Sequence, residues 1–172
     1  MKPDLVLCLG NEILSDDGFG AVVAGRLAVT DHGKAEVIFA PVAGFALLDL
    51  LDNRKRVLIV DTIQTGKFPP GTIHRFTVAT LAHSNHLINS HQISLPTAIE
   101  LGKRLGMNMP ADIDIVAVEA HDVYTVREGL SPAVSAAVDH AVIDIQGWIS
   151  GKEKVSNGKN GKAAKGLAVG SA

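Results

Sequence analysis

Three side chains that can bind a cation lie at the ends of predicted secondary-structure elements: Asp17, Asp61 and His91. Asp17 follows an unbroken apolar run over residues 5–9, Asp61 ends a second such run, and His91 opens a predicted helix. Two carboxylates and an imidazole suit a borderline divalent ion such as zinc, nickel, iron or manganese. The separations of 44 and 30 residues do not define a site by themselves. Only a fold that brings strand ends together would make these residues neighbours.

Each of these residues also has a purely structural interpretation. Ser15 or Asp16 would cap the helix that we predict to begin near Asp17 and to run to about Val29. Asp17 would complement the dipole of that helix, and Asp61 would cap the turn that follows its strand. A histidine at a helix start is often structural, so both interpretations of the set stay open.

The loop after the first strand is a poor site for a nucleotide. The sequence Gly10-Asn11-Glu12 and the later Gly18-Phe19-Gly20 do not complete a G-x-G-x-x-G turn, and no Gly-Lys-Ser/Thr follows. The two adjacent aspartates place negative charge at a helix N-terminus, where a phosphate would otherwise bind.

The hydrophobic pattern alternates between strands and helices along the chain. The run of residues 56–61 is continuously apolar and β-branched until it stops on a carboxylate, which is typical of a buried parallel strand. We therefore predict an α/β fold, a three-layer structure with a mostly parallel, twisted five-stranded sheet and helices on both faces. The predicted strands cover residues 5–9, 35–40, 56–61, 72–77 and 113–119, and the further helices cover 45–51, 90–105 and 131–149.

The composition, 47% hydrophobic and 20% charged, indicates one domain over residues 1–150 with a sizeable core. Residues 151–172 contain five lysines and one glutamate among Gly, Ala and Ser, which predicts a flexible basic tail of charge +4 on a body of charge -6. The net charge of -2 argues against a nucleic-acid partner, and no apolar run approaches the ~18 residues of a membrane span. A single cysteine, Cys8, lies within the first predicted strand as a core residue, so we expect a cytoplasmic protein.

Two rival groups of ligand-type residues exist. His83 and His86 lie three residues apart, five residues before His91, and would allow an all-histidine site. The group Glu119-His121-Asp122 ends the fifth predicted strand and would border the same cleft, although a solvated strand end explains it as well.

One longer motif resembles the N-terminal signature of the nickel–iron hydrogenase maturation endopeptidases: Gly10-Asn11-x-x-Leu14-x-Asp16-Asp17-Gly18-x-Gly20. The resemblance extends over residues 5 to about 145. It continues at Gly44-x-x-Leu47-Leu48, Val57-Leu58-Ile59-Val60-Asp61, Pro70-Gly71-Thr72, Ser90-His91-Gln92 and Gly129-Leu130-Ser131-Pro132-x-Val134.

This resemblance implies a metal site made by Asp17, Asp61 and His91, with nickel supplied by the substrate itself; zinc or cadmium would be able to occupy it in vitro. It implies that the chain removes a C-terminal peptide from a hydrogenase large-subunit precursor, its protein partner, after nickel insertion. Asp16 or a free oxygen of Asp17 would accept the proton. We expect a monomer.

The sequence also departs from this family pattern. The loop after the second strand reads Ala40-Pro41-Val42-Ala43-Gly44 without the usual hydroxyl residue, and the fifth strand ends Ala117-Val118-Glu119-Ala120 instead of Gly-Ile-x-Pro. Both segments would border the cleft, so the substrate is less defined than the ligands. A non-catalytic nickel- or precursor-binding module and a small-molecule metallohydrolase stay open as alternatives.

Overall fold

The sheet has five strands, as the sequence predicts. The structure, a computed structural model, describes residues 1–31, 33–81 and 95–151. The strands are β1 (Leu5–Leu9), β2 (Glu36–Ala40), β3 (Arg56–Ile63), β4 (Ile73–Thr77) and β5 (Asp112–Glu119).

The strand order is β2-β1-β3-β5-β4. The pairs β1–β2, β1–β3 and β3–β5 are parallel, and β4 runs antiparallel to β5 at one edge. The chain enters the sheet at β1 and later places β2 and β3 on opposite sides of it. This reversal is a topological switch point, where open α/β sheets form a crevice at the carboxyl ends of their strands.

Helices cover both faces of the sheet. They are α1 (Phe19–Ala28), α2 (Leu48–Leu51), α3 (Val78–Leu81), α4 (Leu95–Arg104) and α5 (Pro132–Ile149). Within the described ranges, no helix is long and apolar enough to cross a membrane.

Alternate strand residues pack into two separate cores, because successive side chains of a strand point to opposite faces. Val6 and Val60 pack in one core with α1 and α5. Leu7 and Ile59 pack in the other core with Leu51 of α2 and with α4. The predicted three-layer α/β fold is therefore confirmed. Cys8 is fully buried in the first core, and burial raises the pKa of its thiol to about 12, so it is an inert core residue.

The structure corrects several predicted elements. The predicted helix over residues 45–51 is a 3₁₀ turn over Gly44–Leu47 followed by the short α2, and α3 lies where no element is predicted. Strand β3 does not stop at Asp61 but continues to Ile63, and Asp61 pairs with Ala117 inside the sheet. The first helix is preceded by a 3₁₀ turn over Ser15–Gly18, so its α-helical part begins only at Phe19. Most of the predicted tail, residues 152–172, and the start of the predicted helix at residues 90–94 lie outside the described residues.

Two glycines allow the first loop to fold tightly onto β1. A Cβ atom on Gly20 would lie 2.1 Å from the carbonyl oxygen of Leu9, and one on Gly10 would lie 2.0 Å from that of Asp17. Gly10 also has a φ of 131°, a conformation that other residues rarely adopt. These contacts fix where α1 and its preceding turn sit against the carboxyl end of β1.

We expect Gly20→Ala to lower the free energy of unfolding by about 2–3 kcal/mol, because the new methyl group meets backbone that cannot move away. Gly25 is the matched control. It is exposed in the same helix with no atom within 4 Å of an added Cβ, so Gly25→Ala should stabilise the chain by about 0.5–1 kcal/mol. Urea unfolding of both variants measures the difference. Equal effects would contradict the close approach of α1 to β1.

Candidate functional site

The crevice at the switch point is bordered by the loop after β1, the end of β3 and the loop after β5. The first loop closes on itself through three backbone hydrogen bonds. The Asn11 N–H donates to Asp17 O over 3.1 Å, Leu14 N–H to Asn11 O, and Asp17 N–H to Leu14 O. This closed loop ends at Asp17, whose side chain is half-buried at the crevice.

Thr62 brings the carboxylates of Asp17 and Asp61 together. Its hydroxyl group donates to Asp17 Oδ1 over 3.0 Å, and its backbone N–H donates to Asp61 Oδ1 over 2.8 Å. The structure therefore joins two of the three predicted ligands, although Asp61 lies within a strand and not after one. Each carboxylate has a second oxygen that Thr62 does not engage.

The environment of these two carboxylates favours their uncharged forms. Burial raises the pKa of Asp61 to about 7, the Thr62 N–H opposes this rise, and the negative charge of Asp17 adds to it. Burial also raises the pKa of Asp17, against the effect of the Thr62 hydroxyl group. A cation beside these carboxylates would favour their charged forms.

The neighbouring carboxylate, Asp16, has a different environment. It is fully buried and accepts four hydrogen bonds from the loop after β5 and the start of α5. The donors are the N–H groups of His121 (2.9 Å), Asp122 (3.1 Å) and Ser131 (2.6 Å), and the Ser131 hydroxyl group (3.0 Å). Burial alone would raise the pKa of Asp16, but these hydrogen bonds outweigh it and hold the pKa below its usual value.

This arrangement gives Asp16 a structural role. Both of its carboxylate oxygens already accept hydrogen bonds, so the geometry does not support Asp16 as a proton acceptor. Its carboxylate ties two loops of the crevice together, and Asp16 N–H donates back to Asp122 O over 2.9 Å. The prediction that Ser15 or Asp16 caps the first helix is wrong, since neither side chain makes such a bond. Ser131 is the residue before α5, and its hydroxyl group bonds Asp16 instead of capping the helix.

A parallel bridge continues the connection between these loops. Leu14 pairs with Arg127, the Arg127 N–H donates to Ile13 O over 3.0 Å, and the Ser15 N–H donates to Arg127 O over 2.8 Å. The Arg127 guanidinium group also donates to Ser15 Oγ over 2.9 Å, which holds Ser15 at a φ of 47°.

The third predicted ligand, His91, lies outside the described residues, as do His83 and His86 of the rival all-histidine group. Among the described residues, no cluster of three or more His, Cys, Asp or Glu side chains has the geometry of a metal site.

Glu119 is buried, so the interpretation of Glu119-His121-Asp122 as a solvated strand end is wrong for this residue. It is 1% exposed, and its carboxylate accepts hydrogen bonds from Thr65 and Gly66. His74 Nε2 lies 3.0 Å from Glu119 Oε2. The cluster pins the segment that follows β3 against β5. His121, by contrast, is exposed.

Sequence reasoning missed Thr62. A threonine directly after an aspartate carries no pattern of its own, because its contact with Asp17 spans 45 residues. The alternation of side chains along β3 gives one weak indication. It places Thr62 on the face of Leu58 and Val60, which pack under α1, and the turn that carries Asp17 precedes α1.

The domain is a mostly parallel α/β sheet whose switch-point crevice holds the carboxylates of Asp17 and Asp61, at the place where such sheets bind ligands. A family model described as hydrogenase maturation protease matches residues 23–148. The chain belongs to the hydrogenase maturation protease family and is an endopeptidase of that family.

Individual relatives agree with this assignment. The hydrogenase 2 maturation protease of Escherichia coli is 28% identical over 144 residues, which cover 80% of this chain and 85% of the relative. The hydrogenase expression/formation protein HupD of Rhodobacter capsulatus is 26% identical, over 83% of this chain and 70% of its own length. The solved structure of the hydrogenase maturating endopeptidase HybD from E. coli is 25% identical, with a TM-score of 0.74 over 87% of this chain and 93% of that one.

We expect Asp16→Asn to destabilise the fold by about 2–4 kcal/mol, because the amide turns donors toward the N–H groups that the carboxylate satisfied. Asp17→Asn removes the same charge one residue later and should not lower stability. Urea unfolding at pH 7 compares the two variants. An Asp16→Asn variant that is as stable as wild type would contradict the structural role and return Asp16 to the candidates for chemistry.

Asp61→Asn should stabilise the metal-free chain at alkaline pH. The folded state holds a proton on Asp61 between about pH 4 and 7 that the unfolded state has lost, so wild-type stability falls as pH rises through this window. The variant should therefore be more stable by on the order of 3 kcal/mol at pH 8, with no difference at pH 4. The control is Asp139→Asn at an exposed position. A difference independent of pH would contradict the raised pKa.

Proposed function

We propose that this endopeptidase removes a C-terminal peptide from the large-subunit precursor of a nickel–iron hydrogenase once nickel has been inserted. Asp17, Asp61 and His91 are the ligands that contact the precursor's nickel. The observation that carries this proposal is the pair of carboxylates joined by Thr62 at the switch-point crevice. The names of the E. coli and R. capsulatus relatives support the hydrogenase as the object of maturation.

The residues of the crevice fit a divalent metal ion. Asp17 lies close enough to Asp61 for its charge to raise the pKa of that carboxyl group, and each has an oxygen that Thr62 leaves available. Carboxylates with one imidazole are a donor set for borderline divalent ions. When bound, such an ion polarises a carbonyl group or acidifies a water molecule.

The chain's own residues hold the ion and handle protons. Asp61, with a pKa of about 7, changes its protonation state near neutral pH, so it exchanges a proton for a cation at little cost. The Asp17 oxygen that does not contact the ion is the proton acceptor that we assign to the hydrolytic step. Asp16 holds the loop on which Asp17 sits and takes no part in proton transfer.

The position of His91 in the chain is compatible with the same site. His91 lies four positions before Leu95, and four residues span at most about 14 Å. Leu95 packs in the same core as Ile59, which lies two residues before Asp61 on the same face of β3. The motif Ser90-His91-Gln92, which resembles that of the family, supports His91 as the third ligand.

The rim of the crevice suits a polypeptide substrate. Ile13 is 51% exposed, Tyr124 71% and Val126 76%. All three lie on the loops after β1 and β5, which the bridge between Leu14 and Arg127 connects. Exposed apolar side chains grouped on ordered loops are typical of protein-binding surfaces.

The decisive assay compares nickel-loaded with nickel-free precursor as substrates of the full chain, with C-terminal truncation read by intact mass. We expect cleavage of the loaded form alone. Asp17→Asn, Asp61→Asn and His91→Ala should each slow processing by at least about 100-fold, since each removes a ligand. Matched controls are Asp139→Asn and His140→Ala, at exposed positions on α5.

Normal processing by all three ligand variants would show that the site is elsewhere. Equal cleavage of both precursor forms would remove nickel from the proposal. If the wild-type chain binds the precursor without cutting it, the chain is a binding module. Cleavage of small amides or esters without any precursor would favour a small-molecule hydrolase.

A further inference from the structure

Thr62 contacts both carboxylates of the candidate site, because its hydroxyl group bonds Asp17 and its backbone N–H bonds Asp61. Asp17 belongs to the turn before α1, and Asp61 belongs to β3, so no covalent geometry sets their separation. The two bonds from Thr62 fix one oxygen of each carboxylate. The remaining oxygens are thereby oriented relative to each other.

The fold explains why a residue next to Asp61 can reach Asp17. Successive residues of a strand point to opposite faces, so Asp61 shares the face of Ile59, and Thr62 shares the face of Val60 under α1. The turn that carries Asp17 lies at the start of α1. The hydroxyl group therefore reaches across to Asp17 while the backbone N–H of the same residue bonds Asp61.

We propose that Thr62 is a positioning residue that holds Asp17 and Asp61 in the mutual orientation needed to bind the metal ion of the substrate. The inference rests on the proposed function, because it takes both carboxylates as ligands. A hydroxyl group that bonds a ligating carboxylate restricts its rotation, and losing such an outer contact typically weakens metal affinity or activity by 10–100-fold.

The test uses Thr62→Val, which keeps the side-chain volume and the backbone N–H but removes the hydroxyl group. We expect the affinity of the free full-length chain for Ni²⁺, measured by calorimetric titration, to fall about 10–100-fold. Processing of the nickel-loaded precursor should fall in kcat/KM, because the nickel that these carboxylates contact is part of the substrate. Thr62→Ser restores the hydroxyl group and should recover affinity to within about threefold of wild type.

Thr65→Val is the matched control. Thr65 lies three residues after Thr62, outside the candidate site. Its hydroxyl group also donates to a buried carboxylate, that of Glu119. We expect Ni²⁺ affinity within about threefold of wild type. Wild-type affinity in Thr62→Val would overturn the positioning role. An equal loss of affinity in Thr62→Val and Thr62→Ser would also overturn it, because the serine keeps the hydroxyl group. An equal loss in Thr62→Val and Thr65→Val would overturn it too, because Thr65 does not contact Asp17.

Asp17→Asn and Asp61→Asn separate this inference from the proposed function. If these variants bind Ni²⁺ as wild type does, the carboxylates are not ligands and the proposed site fails first. If they lose binding while Thr62→Val keeps it, the site stands and only the role of Thr62 is wrong.

Discussion

The buried carboxylate of Asp16 is the interaction on which the crevice depends. An ionised group without solvent is costly unless hydrogen bonds replace its water, and here four donors from the loop after β5 and the start of α5 do so. The same bonds fix the loop after β1 to those segments. Because Asp17 is the next residue, its side chain has a defined place at the crevice without any contact of its own to the loop after β5.

The environments of Asp16 and Asp17 therefore have opposite effects on the charged form of each carboxylate. Asp16 is stabilised as an anion by its donors, whereas Asp17 and Asp61 are disfavoured as anions by burial. Raised pKa values of this kind are typical of functional sites. The turn that carries Asp17 is held in place by the close approach of Gly10 and Gly20 to neighbouring backbone, so it has little freedom to move the carboxylate into solvent.

The loops around the crevice are held by polar contacts and not by a core. Glu119 fixes the segment after β3 through bonds from Thr65 and Gly66, and Arg127 fixes the loop after β5 to the turn at Ser15. Ile13, Tyr124 and Val126 on these loops remain exposed.

The sequence by itself determined the five strands, the α/β class, the last helix and the family, because periodicity and short motifs are local properties. It also identified Asp17 and Asp61 as ligand-type residues. Only the tertiary structure decided that Asp16 is structural, that Glu119 is buried and that Thr62 joins the two carboxylates. These assignments depend on contacts between residues far apart in the chain, and no local pattern encodes which donors will meet a given carboxylate.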